Sequence, residues 1–125
     1  MEGKGGKILL IAAEWRTRAL LLAELEEAGY DVVALPGVRW ALVALAGGRL
    51  TPALVVLDVT GDAEARPDQV HRLLRMLGDT PVVLLVGAYD ARTFASLRDQ
   101  VAAWISRPLY LARVVDAVRH LYPLP

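Results

Sequence analysis

A chain of 125 residues, 55% of them hydrophobic, is long enough to bury a core and too apolar to be disordered over most of its length. Its 14 basic and 14 acidic residues cancel, so it lacks the positive excess expected of a chain whose main partner is nucleic acid. With no cysteine, disulfides and thiolate metal sites are excluded. No apolar run approaches the roughly 18 residues of a membrane span. The stretch Met1 to Lys7 has no apolar core or small-residue cleavage site, which argues against a secretory leader. The expected location is therefore cytoplasmic. The chain has no Asn and has 12 Arg against 2 Lys, a pattern that heat adaptation and genomic base composition explain equally well.

Five strand-length apolar runs alternate with five segments of helical periodicity. The first run is Lys7 to Ile11. A helix from about Arg16 follows, with Leu21, Leu22, Leu25 and Ala28 on one face, Glu24, Glu26 and Glu27 on the other, and Gly29 after its end. Asp31 to Leu35 is the second strand. Pro36-Gly37 then opens an almost wholly apolar helix from Val38 to Ala46, closed by Gly47-Gly48. On it Trp40 is either core or an exposed contact point, and small neighbours at Ala41 and Ala44 favour core.

The third run, Ala53 to Leu57, ends in the carboxylate of Asp58. It is too short for a buried helix and suits a strand covered on both faces. Pro67 starts a third helix to Leu77, with Val70, Leu73, Leu74 and Leu77 at i, i+3, i+4 and i+7. Pro81 to Val86 is the fourth strand. Asp90 is placed to cap a fourth helix carrying Phe94, Leu97 and Val101. Ala102 to Ser106 is the fifth strand, and Leu109 to Leu121 the fifth helix.

This alternation predicts one domain over residues 1–125, its core at about 7–122. The expected fold is a three-layer α/β/α, flavodoxin-like (βα)5 arrangement, with a parallel five-stranded sheet of order 2-1-3-4-5. That order puts the carboxyl ends of the first and third strands side by side, so Asp58 lies beside the Ala12-Ala13-Glu14 loop.

With these residues in view, the chain resembles a response-regulator receiver domain over about Lys7 to Tyr122. The resemblance rests on Lys7 to Ile11, on Glu14, on Leu25-Glu26-Glu27-Ala28-Gly29-Tyr30 and on Pro52 to Asp58. Thr80-Pro81 through Leu85 and Ser106-Arg107-Pro108-Leu109 complete it. The resemblance implies a phosphoacceptor at Asp58, a magnesium-binding acidic pair after the first strand, a Ser or Thr hydroxyl ending the fourth strand and a lysine after the fifth.

The nucleophile position alone is kept. The acidic pair falls on Ala12 and Ala13, the hydroxyl on Val86, the lysine on Arg107 and the switching aromatic on Trp104. The Arg107–Pro108 bond matches a Lys-Pro bond that is cis in the family. Glu14 and Asp62 remain as nearby acids in sequence, and Thr60 offers a carbonyl. Magnesium wants about six oxygens in tight geometry, including carboxylates, so no cofactor is expected. Removing one preorganised donor costs about 10²–10³ in rate, which points to a degenerate receiver. Arg107 pairs with Asp58, pairs with Glu14, or points into solvent.

The implied function is a signalling module acting through protein contacts, with a histidine kinase or an output protein as partner and neither membrane nor direct nucleic-acid binding. Trp104, Tyr110, Arg92, Arg98, Arg113 and Arg119 are the candidates for its contact face, and a homodimer through the fourth and fifth helices is the expected assembly. Two alternatives stand beside it. One is a receiver still phosphorylated at Asp58. The other is a small-ligand-binding domain using a hollow at Ala12 and Ala13 with Trp15 at its rim. No phosphate-cradling glycine motif supports the latter, and His71 and His120 lie on helices away from the strand ends.

Overall fold

The computed structural model describes residues 6–125. The reading of the amino terminus as leaderless lies mostly outside them. Five strands alternate with helices: β1 (Ile8–Ala12), α1 (Trp15–Glu27), β2 (Val32–Leu35), α2 (Val38–Ala46) and β3 (Leu54–Asp58). They continue with α3 (Pro67–Leu77), β4 (Val82–Val86), a 3₁₀ helix (Ala95–Gln100), β5 (Ala103–Ser106) and α4 (Leu111–Leu121). The strands form one parallel sheet in the order β2-β1-β3-β4-β5, the flavodoxin-like order expected from the alternation. The register sets Ala12 beside Asp58 and Val86 beside Ser106, so all of these lie at the carboxyl edge.

The strand residues are apolar except at the last positions of β3 and β5, Asp58 and Ser106, because both faces of the sheet are covered. Leu9, Ile11, Val55, Leu57, Leu84 and Val86 pack on the side of α2, α3 and the 3₁₀ helix. Ile8, Leu10, Leu54, Val56, Val83 and Leu85 pack on the side of α1 and α4. Burying one such side chain contributes about 1.5–3 kcal/mol, so the three central strands hold the carboxyl edge rigidly in place. Among the described residues no helix is long and apolar enough to cross a membrane.

The fourth helix is where the expectation fails. Residues 95–100 form a 3₁₀ helix preceded by turns, with no α-helix between β4 and β5. Phe94 and Leu97 are both buried and lie three apart, a spacing that the 3₁₀ turn keeps on one side. Asp90 caps nothing there. Its Oδ2 accepts from Gly87 N at 2.9 Å, turning back toward the end of β4. A dimer through two α-helices at this end therefore lacks one of them. Trp40, expected in the core, is 53% exposed, because Val38 and Ala41 supply the buried face of α2.

Candidate functional site

Asp58 ends β3 with its side chain 1% exposed, although strand ends usually lie open to a crevice. It is the one buried polar or charged residue among those described. Thr60 N donates to Oδ1 at 3.0 Å. Arg107 Nη2 donates to Oδ2 at 2.6 Å. Both carboxylate oxygens are thus engaged from within the chain.

Arg107 reaches this position because its own N–H donates to Val86 O at 2.9 Å, extending β5 by one residue along β4. The Arg107–Pro108 bond that follows is cis. The guanidinium fork is divided between two acceptors, since Nε donates to Thr60 Oγ1 at 3.4 Å. A planar fork suits this geometry and a point-charge ammonium does not. Of the three places open to Arg107 in sequence, the pair with Asp58 forms.

Burial pushes the Asp58 carboxyl above its ordinary value. The Thr60 N–H and the Arg107 charge work against that push, while Asp90 adds to it. Desolvation wins because an ionised carboxylate loses more on leaving water than one guanidinium contact and one amide return.

The acidic-pair positions hold a fully buried Ala12 and a half-buried Ala13. Arg18, not singled out by sequence, reaches back from α1 over the end of β1. Its Nη1 donates to Ala12 O at 2.8 Å and Ala13 O at 3.3 Å. The expected hollow thus has a guanidinium across its mouth, with Trp15 standing 66% exposed. A cation lies where the resemblance implies anions.

Glu14, the nearby acid after β1, is engaged at the start of α1. It caps α1, accepting from Thr17 N at 2.8 Å, Thr17 Oγ1 at 2.6 Å and Arg16 N at 3.2 Å. The Thr17 hydroxyl above all holds its carboxyl below the ordinary value. Asp62 is likewise taken. Its Oδ2 accepts from Val38 N at 2.9 Å and its Oδ1 from Glu64 N at 3.0 Å. It therefore supplies α2 with the side-chain cap that Gly37 cannot give. A Cβ on Gly37 would stand 3.2 Å from that same oxygen, so glycine lets the carboxylate approach.

Val86 is fully buried and offers no hydroxyl. Trp104 is half-buried against the core, with Arg98 Cζ 5.0 Å from its ring centroid. His71 and His120 lie on α3 and α4, away from Asp58.

Magnesium, which the fold would lead one to test, does not suit these residues. Among the described residues, the one carboxylate that ends a strand is already held by Arg107 and Thr60, both neighbouring positions are alanine, and Glu14 faces its own helix. Among the described residues no three His, Asp or Glu side chains gather as a metal site.

No protein-family model matches the sequence, and no curated protein does. Solved structures do match. A receiver domain protein (CheY-like) from Methanospirillum hungatei JF-1 has a TM-score of 0.81 at 12% identity, covering 94% of this chain and 93% of that one. A Rhodopirellula baltica chain described as adenylate cyclase has a TM-score of 0.80 at 14% identity, covering 94% and 87%. The Francisella response regulator 1452 receiver domain has 0.79 at 17%, covering 94% and 97%. At such identities the likeness is one of fold. With the sheet order, the aspartate ending β3 and these neighbours together, the chain has the fold of the response-regulator receiver domains.

Proposed function

We propose that this chain is a receiver-type signalling module, cytoplasmic and without catalytic activity of its own, that works through protein contacts and not through magnesium-dependent phosphorylation of Asp58. The observation that carries this reading is the Arg107–Asp58 contact at 2.6 Å. An incoming phosphoryl group needs a free carboxylate oxygen, a cation to relieve the approach of two anions, and donors for its own oxygens. Here the carboxylate is held, the cation is a side chain already paired with it, and Val86 replaces the donor.

Asp58 then acts as an anchor. It ties the loop after β5 to the loop after β3 through Arg107 and Thr60. The surface so held includes Tyr110, 59% exposed, with exposed Arg92, Arg98, Arg113 and Arg119 around β5, the 3₁₀ helix and α4. This is the face proposed to meet a kinase, an output protein or a second copy.

The test is incubation with acetyl phosphate and magnesium, followed by intact-mass measurement. The reading expects no added phosphoryl group. A gain of one group in the wild type, absent from Asp58→Ala, would overturn it in favour of a phosphorylated receiver.

A further inference from the structure

Helix α2, on the opposite side of the sheet from α4, has a strongly apolar outer face. Trp40 is 53% and Val43 63% exposed, while the helix carries a single charged residue, Arg39. Such a face on a short helix is unusual, because its outer residues normally meet water with charged groups. Val43 lies between two grooves. One adjoins the edge strand β2 and is lined by Val33, Leu35, Ala44, Arg49 and Leu50. The other lies between α2 and α3, with Arg39 and Arg72 on its walls.

The charges around this apolar strip are mainly positive: Arg39, Arg49 and Arg72 against Glu64. Among the described residues no carboxylate lies within salt-bridge distance of Arg39, Arg49 or Arg72, and Arg39 stacks 5.7 Å from the Trp40 ring centroid. The one acid on the second groove, Glu64, is 3.8 Å from Arg66. Two-fold pairing of copies about Val43 would bring like guanidiniums together, which disfavours self-association.

We infer that the outer face of α2 is a docking site for an acidic amphipathic helix of another protein. Trp40 to Gly47 spans about two helical turns, roughly 12 Å. A partner helix would lay apolar residues at i, i+3, i+4 and i+7 over Val43 and the β2 groove, and set carboxylates against Arg39, Arg49 and Arg72. Apolar burial supplies the attraction, and the guanidiniums select the sign of the partner and speed its approach. The site is independent of the state of Asp58, so it stands or falls apart from the function proposed above.

The test uses the full chain and a fluorescent synthetic helix with Leu at those spacings and Glu elsewhere, followed by anisotropy. Binding should weaken about tenfold or more, that is about 1.4 kcal/mol, in each of three cases: Lys replacing Glu in the peptide, Ser replacing Leu, and Val43→Glu in the protein. Arg39→Glu with Arg72→Glu should reverse the preference toward the Lys peptide. Both variants change exposed residues, and an unchanged circular-dichroism melt establishes that they fold. Equal binding of Glu and Lys peptides, or binding unaffected by Val43→Glu, would overturn the inference. So would sedimentation showing a wild-type dimer that Val43→Glu abolishes, because the face would then be a self-interface.

Discussion

Arg107 Nη2 lies 2.6 Å from Asp58 Oδ2, 49 residues away in the chain, and joins the ends of β5 and β3. The side chains are 27% and 1% exposed, so the carboxylate is sealed while the guanidinium keeps some contact with water. A buried pair of this kind is poor evidence of net stabilisation, because desolvation offsets much of the attraction. It is strong evidence of constraint, because Arg107 cannot leave without stranding the buried carboxylate.

That asymmetry predicts a mutational pattern. Arg107→Met strands a buried carboxylate and should destabilise by about 3 kcal/mol, the low end of the range for broken buried pairs given the exposure of Arg107. Asp58→Leu with Arg107→Met removes both charges and should recover most of that loss. Urea unfolding of the two variants checks this. A double variant no more stable than Arg107→Met would contradict it.

Asp58 also predicts a pH dependence. Its folded-state carboxyl titrates above its ordinary value because burial outweighs its partners. The native state therefore holds the proton more tightly than the unfolded chain, whose Asp titrates near about 3.9. Stability from this group falls as pH rises from about 4 through the folded-state value, then levels off. Asp58→Asn removes the titration, so its stability relative to wild type should climb over that window. Thermal melts from about pH 4 to 7 measure it. A relative stability that is flat or falls over that range would mean the carboxyl is not raised.

Asp62 should behave as the cap of α2 despite lying 24 residues beyond Val38. Asp62→Ala removes the acceptor for Val38 N and should cost about 1 kcal/mol. Amide exchange should quicken at Val38 and in the first turn of α2, leaving the β3 amides protected. Uniform loss of protection would show a global effect instead.

The strands, their order and the position of Asp58 were legible because continuous apolar runs admit few other arrangements. The site was legible only as a set of substitutions. Ala12, Ala13 and Val86 announce missing chemistry, but a sequence does not tell where Arg107 points. Arg18 was missed because a guanidinium folding back on the carbonyls that precede its helix leaves no periodic signal. Glu14 and Asp62, read as spare acids, are caps. For Glu14 a signal existed in Thr17, three residues on, whereas the contact of Asp62 is tertiary. Phe94 and Leu97 carried a three-residue spacing that fits helix and 3₁₀ turn alike. Trp40 was misplaced because small neighbours make room for an indole without drawing it inward.

The central claim is that Arg107 holds Asp58 closed to phosphoryl chemistry. Backbone amide chemical shifts recorded while magnesium and beryllofluoride are added test it most directly, since beryllofluoride mimics an acyl phosphate only on a free carboxylate. Unchanged signals for Asp58, Thr60, Val86 and Arg107 are the predicted result. Saturable shifts at those amides that vanish in Asp58→Asn would contradict it.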